Sequence, residues 1–224
     1  DVLASPATLR RLMVKEIEAD AKQFADARRT LIQAEKKAVA EARVVDEPVT
    51  VVVSSKGWVR ARTGHGHDAA SFSFKAGDGL YGTFECRTVD QLISFGGNGR
   101  VYSTPVSQLP GARGDGQPIN SLIDLEAGTQ VVHFFAGPTS ALLLLANSGG
   151  FGFIASVDNL CASKRGGKTF MGVPDGETLC RPSPVAVGEL PAEGEAGPNV
   201  WPAATHVCCA STGGRILTFE ISEL

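Results

Sequence analysis

A β-hairpin pattern that returns four times constrains this chain more than any other feature. Each copy has an apolar run, a turn closed by glycine and a second strand-like segment, with the glycine at Gly57, Gly99, Gly150 or Gly214. In the second copy, Asn98-Gly99 predicts a type I′ turn, in which both central residues take positive φ. Recurrence of one unit predicts a repeat architecture rather than a set of unrelated elements.

Each repeat has room for four strands. After the first three hairpins, a glycine turn at Gly77, Gly128 or Gly176 leads into another apolar segment. The hairpin glycines are 42, 51 and 64 residues apart, and four strands in about 40–50 residues are typical of a propeller blade. We therefore predict a mainly β, propeller-like fold of four-stranded blades, with repeats that start near residues 48, 90, 141 and 206. The Pro- and Glu-rich insert Pro182–Pro202 is predicted to be an exposed loop.

The first 45 residues have a different character. Ser5-Pro6 predicts a helix start, with Ser5 as N-cap, and apolar residues then recur at helical spacing. We predict a helical segment and linker over residues 1–45 and the repeat domain over residues 46–224. The chain begins with Asp1, and about three and a half repeats cannot close a ring, so we expect it to be a piece of a longer polypeptide.

The charge of the repeat domain is unevenly distributed. Residues 46–224 contain 12 basic and 17 acidic residues, a net charge of −5, so nucleic acid could bind only where cations are concentrated. Cations beside glycines suit a phosphate backbone, because they neutralise it and let main-chain N–H groups approach. The alternative is that these are ordinary solvated turn residues. Nine of the 12 lie on hairpins or on the loops that follow them: Lys56, Arg60, Arg62, Arg100, Arg113, Lys164, Arg165, Lys168 and Arg215.

Signals for catalysis and metal binding are weak. The sequence has no Walker loop, no Ser-His-Asp signature and no dinucleotide-binding glycine motif. Gly64-His65-Gly66-His67-Asp68 lacks a fourth ligand, and we predict a surface loop there rather than a metal site. Five irregularly spaced cysteines indicate a reduced, cytoplasmic protein. We predict no catalytic residue and no metal site within this chain.

Several segments resemble the A subunits of bacterial type IIA topoisomerases. Leu9-Arg10-Arg11-Leu12 to Asp26-Ala27-Arg28-Arg29-Thr30 resembles the helix and the Gly-Asp-x-Arg-Arg-Thr turn that end their breakage-reunion core, with Ala25 in place of the usual glycine. Other segments resemble the C-terminal β-pinwheel found in the A subunits of topoisomerase IV: Glu47–Val51, Gly57–Arg60, Gly64–Asp68, Phe74–Asp78, Leu109–Gly114 and Gly150–Phe153.

This resemblance implies a pinwheel whose neighbouring blades exchange a strand and whose rim binds and bends double-stranded DNA. It implies an enzyme that passes one duplex through another, decatenating chromosomes and relaxing supercoils, with ATP and Mg²⁺ bound through the B subunit. The implied partners are DNA, a second A subunit and the B subunit, in an A2B2 assembly located in the cytoplasm at the nucleoid. The catalytic tyrosine of the family lies upstream, and neither Tyr81 nor Tyr102 has its Arg-Tyr context.

Two alternatives stay open. The first is the DNA-wrapping C-terminal domain of the gyrase A subunit, which carries a Gln-Arg-Arg-Gly-Gly-Lys-Gly box in its first blade. The first repeat here lacks that box, and Lys164-Arg165-Gly166-Gly167-Lys168 is a partial match in the third, which favours bending over wrapping. The second alternative is a propeller-type protein-interaction module that uses loops such as Pro182–Pro202.

Overall fold

A computed structural model describes residues 5–26, 44–111, 114–185 and 206–224. The chain divides into two compact units, Asp1–Ala42 and Arg43–Leu224. In the first unit, helix α1 spans Pro6–Phe24, with Ser5 at the N-cap position and Pro6 at the first helical residue, as predicted. The predicted linker lies mostly outside the described residues, and the predicted boundary between residues 45 and 46 stays a prediction. Within the described ranges, no helix is long and apolar enough to cross a membrane.

The second unit is built mainly of short strands. The glycine turns and β-branched runs divide it into segments too short for long helices. Between the strands lie helix α2 (Val157–Leu160) and short 3-10 helices, among them Val106–Gln108 and Ile119–Ser121. The described strands are β1 Pro48–Ser54, β2 Trp58–Thr63, β3 Leu80–Arg87, β4 Gln91–Gly96, β5 Arg100–Pro105, β6 Gln117–Pro118, β7 Val131–Gly137, β8 Leu142–Ala146, β9 Gly152–Ser156, β10 Lys168–Thr169, β11 Ser183–Val185, β12 His206–Ala210 and β13 Ile216–Glu220.

Each predicted hairpin belongs to a separate antiparallel sheet. The strand orders are β3-β1-β2-β6, β10-β5-β4-β7, β11-β8-β9 and β12-β13, and we call these sheets blades 1 to 4. Blades 1 and 2 have the four strands expected of a propeller blade, and blade 3 has three in the described part of the chain. The prediction of a mainly β, propeller-like fold with a preceding helix is therefore confirmed.

Neighbouring blades exchange strands, as the resemblance implied. Strand β6 follows the hairpin of blade 2 but pairs with β2 of blade 1, joining Gln117 to Val59. Strand β10 follows the hairpin of blade 3 but pairs with β5 of blade 2, joining Lys168 to Val101. Blades 1 and 2 thus each take their fourth strand from the next repeat, which ties the repeats together through main-chain hydrogen bonds.

Two equivalent glycines let the exchanged segments approach the neighbouring blade. Gly116 and Gly167 precede β6 and β10, and both have positive φ, of +84° and +63°. A Cβ at Gly116 would lie 2.3 Å from the carbonyl oxygen of Val59, and one at Gly167 would lie 2.3 Å from that of Val101. Only glycine fits these positions, because both the backbone conformation and the space exclude a side chain.

The core lies in the seams between blades. Side chains alternate along a strand, so blade 2 sends Leu92 and Tyr102 into the seam with blade 1 and Ile93 and Val101 into the seam with blade 3. All four residues are fully buried. Both faces of blade 2 are therefore covered, which meets the expectation that a blade is stable only between neighbours.

The hairpin turns correct one prediction. Gly57, Gly99, Gly150 and Gly214 all have positive φ, but Asn98 does not, so the predicted type I′ turn is wrong. In each hairpin the glycine N–H donates to the carbonyl three residues earlier, from Gly99 to Gly96 in blade 2 at 3.0 Å. This pattern is a type I turn followed by a left-handed glycine, the usual solution when the loop is longer than two residues.

The insert after blade 3 departs from the predicted exposed loop at its start. Ser183–Val185 forms β11 and pairs with Leu142–Leu144 of β8. It therefore occupies the position that β3 and β7 occupy in blades 1 and 2. The prediction was wrong for these three residues because Pro182 and Pro184 obscured a short edge strand, which tolerates proline. Residues 186–202 of the insert lie outside the described part of the chain.

Candidate nucleic-acid interface

The sheet edges formed by the exchanged strands bring four of the nine predicted basic residues together. Strands β3 and β7 of blades 1 and 2 contact each other, so these two sheets converge on that side. The opposite edge carries β6, β10 and the described parts of the loops that lead into them, residues 109–111, 114–116 and 161–167. We call this side the exchange edge.

The loop 163–167 and strand β10 expose two lysines at this edge. Lys164 is exposed and Lys168 is half-buried. Among the described residues, neither lysine forms an ion pair with a carboxylate. Their charges are therefore free to meet an external anion, and both were predicted as DNA-binding residues.

Arg165 lies between these lysines but is engaged with its own chain. Its Nη2 donates to the carbonyl of Ser121 at 3.1 Å, and its Nε lies 3.6 Å from the Asp124 carboxylate. The N–H of Asp124 donates in turn to the carbonyl of Arg165 at 3.0 Å. Because the guanidinium is 62% exposed, the ion pair is weak, but the three contacts together fix the loop against residues 121–124.

Arg100 is also used within the protein. It begins β5, and its Nη2 donates to the carbonyls of Gly166 at 2.8 Å and Gly167 at 3.2 Å. Its Nε lies 4.0 Å from Glu126, whose carboxylate accepts a hydrogen bond from Asn98 at 2.8 Å. The guanidinium therefore holds the base of the loop.

Arg60 is buried, which argues against the direct DNA contact predicted for it. The residue is 6% exposed, and its guanidinium donates to the carbonyls of Gly114 at 2.6 Å and Ser73 at 2.7 Å. The rings of Phe72 and Phe74 lie 5.7 and 5.4 Å from it. The segment 64–79 folds over β2 and covers this arginine, although the exposed Arg62 shares its strand face as predicted.

The remaining predicted cations are more dispersed. Arg62 is exposed at the end of β2, with its guanidinium 5.7 Å from the Phe72 ring. Lys56 and Arg215 are exposed in the hairpin turns of blades 1 and 4. Arg113 lies outside the described residues. The structure thus brings Arg100, Lys164, Arg165 and Lys168 together and leaves Lys56, Arg62 and Arg215 as separate surface charges.

Three cations were not among the predicted binding residues. Lys75 lies 3.5 Å from the centre of the Trp58 ring, and Arg181 lies 4.7 Å from that of Tyr81. Arg87 pairs with Asp46 at 2.5 Å. All three are engaged with aromatic or acidic partners of the chain itself, and no local sequence signal marks these long-range contacts.

The histidine-containing loop has a structural role. His65 Nε2 lies 2.8 Å from the carbonyl oxygen of Cys86, and His67 Nε2 lies 2.9 Å from that of Thr63. Asp68 caps the short helix Ala69–Ser71. No group of three potential metal ligands occurs within the described ranges, and residues 64–68 form an exposed to half-buried loop.

The described cysteine thiols near the seams are unsuited to nucleophilic chemistry. Burial, together with the nearby Asp90 carboxylate, raises the pKa of Cys86 to about 12. Burial and Asp158 also raise the pKa of Cys161, although Lys168 opposes the shift. Cys161 lines an open groove of about 780 Å³ beside Lys164 and Arg165. This groove therefore offers charge and hydrogen bonds rather than a reactive thiolate.

Comparisons with known proteins agree with this architecture. A family model described as "DNA gyrase C-terminal domain, beta-propeller" matches residues 90–135 and 141–181. The chain is 39% identical to the A subunit of DNA topoisomerase 4 from Neisseria gonorrhoeae, over 96% of this chain and 27% of that protein. It is 31% identical to the corresponding protein of Escherichia coli K12, over 100% of this chain and 28% of that protein.

Solved structures give the same result. The E. coli ParC C-terminal domain aligns with a TM-score of 0.67 at 30% identity, covering 80% of this chain and 66% of that one. A DNA gyrase A C-terminal domain aligns over 80% of this chain and 56% of that one, with a TM-score of 0.50 at 16% identity, and this likeness supports the fold alone.

Strand-exchanged blades with these matches define a class, the C-terminal propeller-type domains of bacterial type IIA topoisomerase A subunits. Within that class, the chain belongs to the family of DNA topoisomerase 4 A subunits. It spans little more than a quarter of the length of the curated relatives it matches, 27% and 28% for the first two.

Proposed function

We propose that this chain binds and bends duplex DNA along the exchange edge and presents it to the catalytic core of a topoisomerase IV. One observation carries the proposal. Lys164 and Lys168 lie together at that edge without an acidic ion-pair partner among the described residues, in a domain whose net charge is −5. In such a domain, free cations at one edge are where a polyanion can bind.

The geometry favours a duplex over a single strand. Single-stranded nucleic acid is bound largely by stacking bases on exposed aromatic rings. The Trp58 ring is covered by Lys75, and Tyr102 is fully buried. A lysine pair beside Gly166 and Gly167 instead suits contact with a phosphate backbone. We expect affinity without sequence preference, because none of these contacts reads a base edge.

The salt dependence of binding tests this proposal. The full chain is titrated with a long linear duplex at several salt concentrations. The variant Lys164→Ala/Lys168→Ala should reduce the magnitude of the slope of log K against log[salt] by about 1.8, since each phosphate contact contributes about 0.9. The control, Arg87→Gln/Arg181→Gln, removes equal charge from residues engaged elsewhere and should leave the slope unchanged. An unchanged slope in the lysine variant would refute the assignment.

The activity of the whole enzyme extends the same proposal. We infer that the chain acts in an A2B2 assembly with the B subunit of topoisomerase IV, which supplies ATP hydrolysis and Mg²⁺, and that it works in the cytoplasm at the chromosome. The catalytic tyrosine would lie outside this chain. In a holoenzyme carrying Lys164→Ala/Lys168→Ala, we expect slower decatenation and relaxation but unchanged ATP hydrolysis without DNA. Unchanged decatenation would contradict the presentation role.

The partial match at Lys164–Lys168 also allows the gyrase-like alternative of DNA wrapping. The two functions differ in what they leave on circular DNA. Closed-circular plasmid is incubated with the full chain and relaxed by an added type I topoisomerase, and retained superhelical turns are then counted. Bending predicts few retained turns, whereas wrapping predicts turns that increase with the amount of bound chain.

A further inference from the structure

Two arginines at loop 163–167, Arg165 within it and Arg100 beside it, differ from Lys164 in what they bind. Lys164 is exposed and has no acidic ion-pair partner among the described residues. Arg100 and Arg165 instead donate to backbone carbonyls, those of Gly166, Gly167 and Ser121. We infer that Arg100 is a positioning residue, which shapes the loop so that Lys164 can contact DNA, rather than a DNA contact itself. This inference deepens the proposed function and rests on it.

The contacts of Arg100 leave its guanidinium little capacity for a phosphate. Its Nη2 serves two carbonyls of the loop, at 2.8 and 3.2 Å, while its Nε faces Glu126 at 4.0 Å. The side chain is 32% exposed. A phosphate would have to compete with these carbonyls and with the nearby Glu126 carboxylate.

The same device occurs at the preceding seam. Arg60, on β2 of blade 1, donates at 2.6 Å to the carbonyl of Gly114, in the loop that leads to β6. Arg100, on β5 of blade 2, donates to the carbonyls of Gly166 and Gly167, in the loop that leads to β10. In both cases an arginine of one blade holds the loop that arrives from the next repeat. Two independent occurrences make an accidental surface contact a poor explanation.

Arginine suits this role in a way that lysine does not. The planar guanidinium presents Nε and Nη2 in fixed, different directions, toward Glu126 on one side and the loop carbonyls on the other. Lysine has a single nitrogen and cannot place separate donor nitrogens toward Glu126 and toward the loop carbonyls. The variant Arg100→Lys therefore keeps the charge but loses the geometry, which separates a positioning role from an electrostatic one.

The first measurement does not depend on DNA. The Gly167 N–H donates to the carbonyl of Lys164 at 3.0 Å and closes the loop, so its hydrogen exchange reports the shape of the loop. We expect Arg100→Lys to accelerate exchange at Gly167 while amides of β4 stay protected, which also shows that the chain remains folded. Unchanged exchange at Gly167 would overturn the inference even if the chain proved not to bind DNA.

The second measurement is a double-mutant cycle on DNA binding by the full chain. Lys164→Ala should lower the magnitude of the salt slope by about 0.9. The gain in affinity on going from 1 M to 0.1 M salt should then be about eightfold smaller than in the unaltered chain. We expect Arg100→Lys and Arg100→Gln each to lower the magnitude of the slope by a similar amount. We expect Arg100→Gln/Lys164→Ala to lower it by about 0.9 in total, because both changes remove the same contact. Arg181→Gln serves as the control for charge loss and should have no effect.

A contact role for Arg100 makes opposite predictions. Arg100→Lys would then bind DNA like the unaltered chain, and Arg100→Gln/Lys164→Ala would lower the slope by about 1.8. Either result would overturn the inference. If the unaltered chain shows no salt-dependent binding, the proposed function fails, and exchange at Gly167 still decides whether Arg100 shapes the loop.

Discussion

Gly167→Ala should weaken the attachment between blades 2 and 3. Gly167 has a φ of +63°, and a left-handed conformation costs a residue with a Cβ about 1–2 kcal/mol. The added Cβ would lie 2.3 Å from the carbonyl oxygen of Val101 and 2.7 Å from Cδ1 of Tyr102. Both neighbours are fully buried, so the incoming segment must move instead.

That movement separates β10 from β5. The pairs Lys168–Val101 and Thr169–Arg100 would be lost, at about 1 kcal/mol for each net hydrogen bond. Lower entropy of the unfolded chain offsets about 0.4–1 kcal/mol of the total. We expect a net loss of about 2–3 kcal/mol, or a fall of about 1 M in the urea midpoint for a slope of about 2–3 kcal/mol/M.

The adjacent residue supplies a matched control. Gly166 does not have positive φ, and a Cβ there would meet no heavy atom within 4 Å. Gly166→Ala should therefore be neutral or stabilising by up to about 1 kcal/mol. Urea denaturation followed by circular dichroism compares the two variants in the full chain. If Gly167→Ala lies within about 0.5 kcal/mol of the unaltered chain, the steric argument for the exchange is wrong.

Three further predictions concern the rest of the fold. Tyr81→Phe should lower the free energy of unfolding, measured by urea denaturation, by about 1–3 kcal/mol. The variant loses the hydroxyl, which pairs with His133 Nδ1 and accepts from the Phe134 N–H, both at 3.2 Å. With a pKa of about 12, Cys86 should have a thiolate fraction of roughly 10⁻⁴ at pH 8 and resist alkylation, while the exposed Cys209 reacts. Mass spectrometry of the alkylated chain distinguishes the two cysteines, and rapid modification of Cys86 would contradict its burial. Burial acts to raise the pKa of Asp78, but hydrogen bonds with Ser54, Gly79 and Lys56 lower it overall. The unaltered chain should therefore be more stable to unfolding than Asp78→Asn above pH of about 4, and this difference should disappear as pH falls. Urea midpoints of the two chains at pH 7 and 3 would show it.

The blades were predictable because their signals are local. Gly57, Gly99, Gly150 and Gly214 close the four hairpins with positive φ, and apolar runs flank each of them. What local reasoning missed at Asn98 is the number of residues in the loop, which decides the turn type. In a loop longer than two residues, only the glycine takes the left-handed conformation.

The exchange could not be read from periodicity, because β6 and β10 are only two residues long. Such segments show no alternation, and Gly116 and Gly167 become meaningful only beside the strand they approach. The exchange of strands between blades was predicted instead from the resemblance to the A subunits of type IIA topoisomerases. Arg60 illustrates a second limit, since its burial depends on Phe72 and Phe74 folding back from a distant part of the loop.

The number of basic side chains left over from contacts within the chain limits how tightly this domain can hold DNA. Of the predicted cations that the structure describes, Arg60, Arg100 and Arg165 donate to backbone carbonyls. Five others form no ion pair with a carboxylate among the described residues: Lys56, Arg62, Lys164, Lys168 and Arg215. Five phosphate contacts give a salt slope of about 4.5, or roughly a 500-fold loss of affinity between 50 and 200 mM salt. Because the domain is net acidic, contacts beyond these would meet repulsion, which favours a short, readily released bend over an extended wrap.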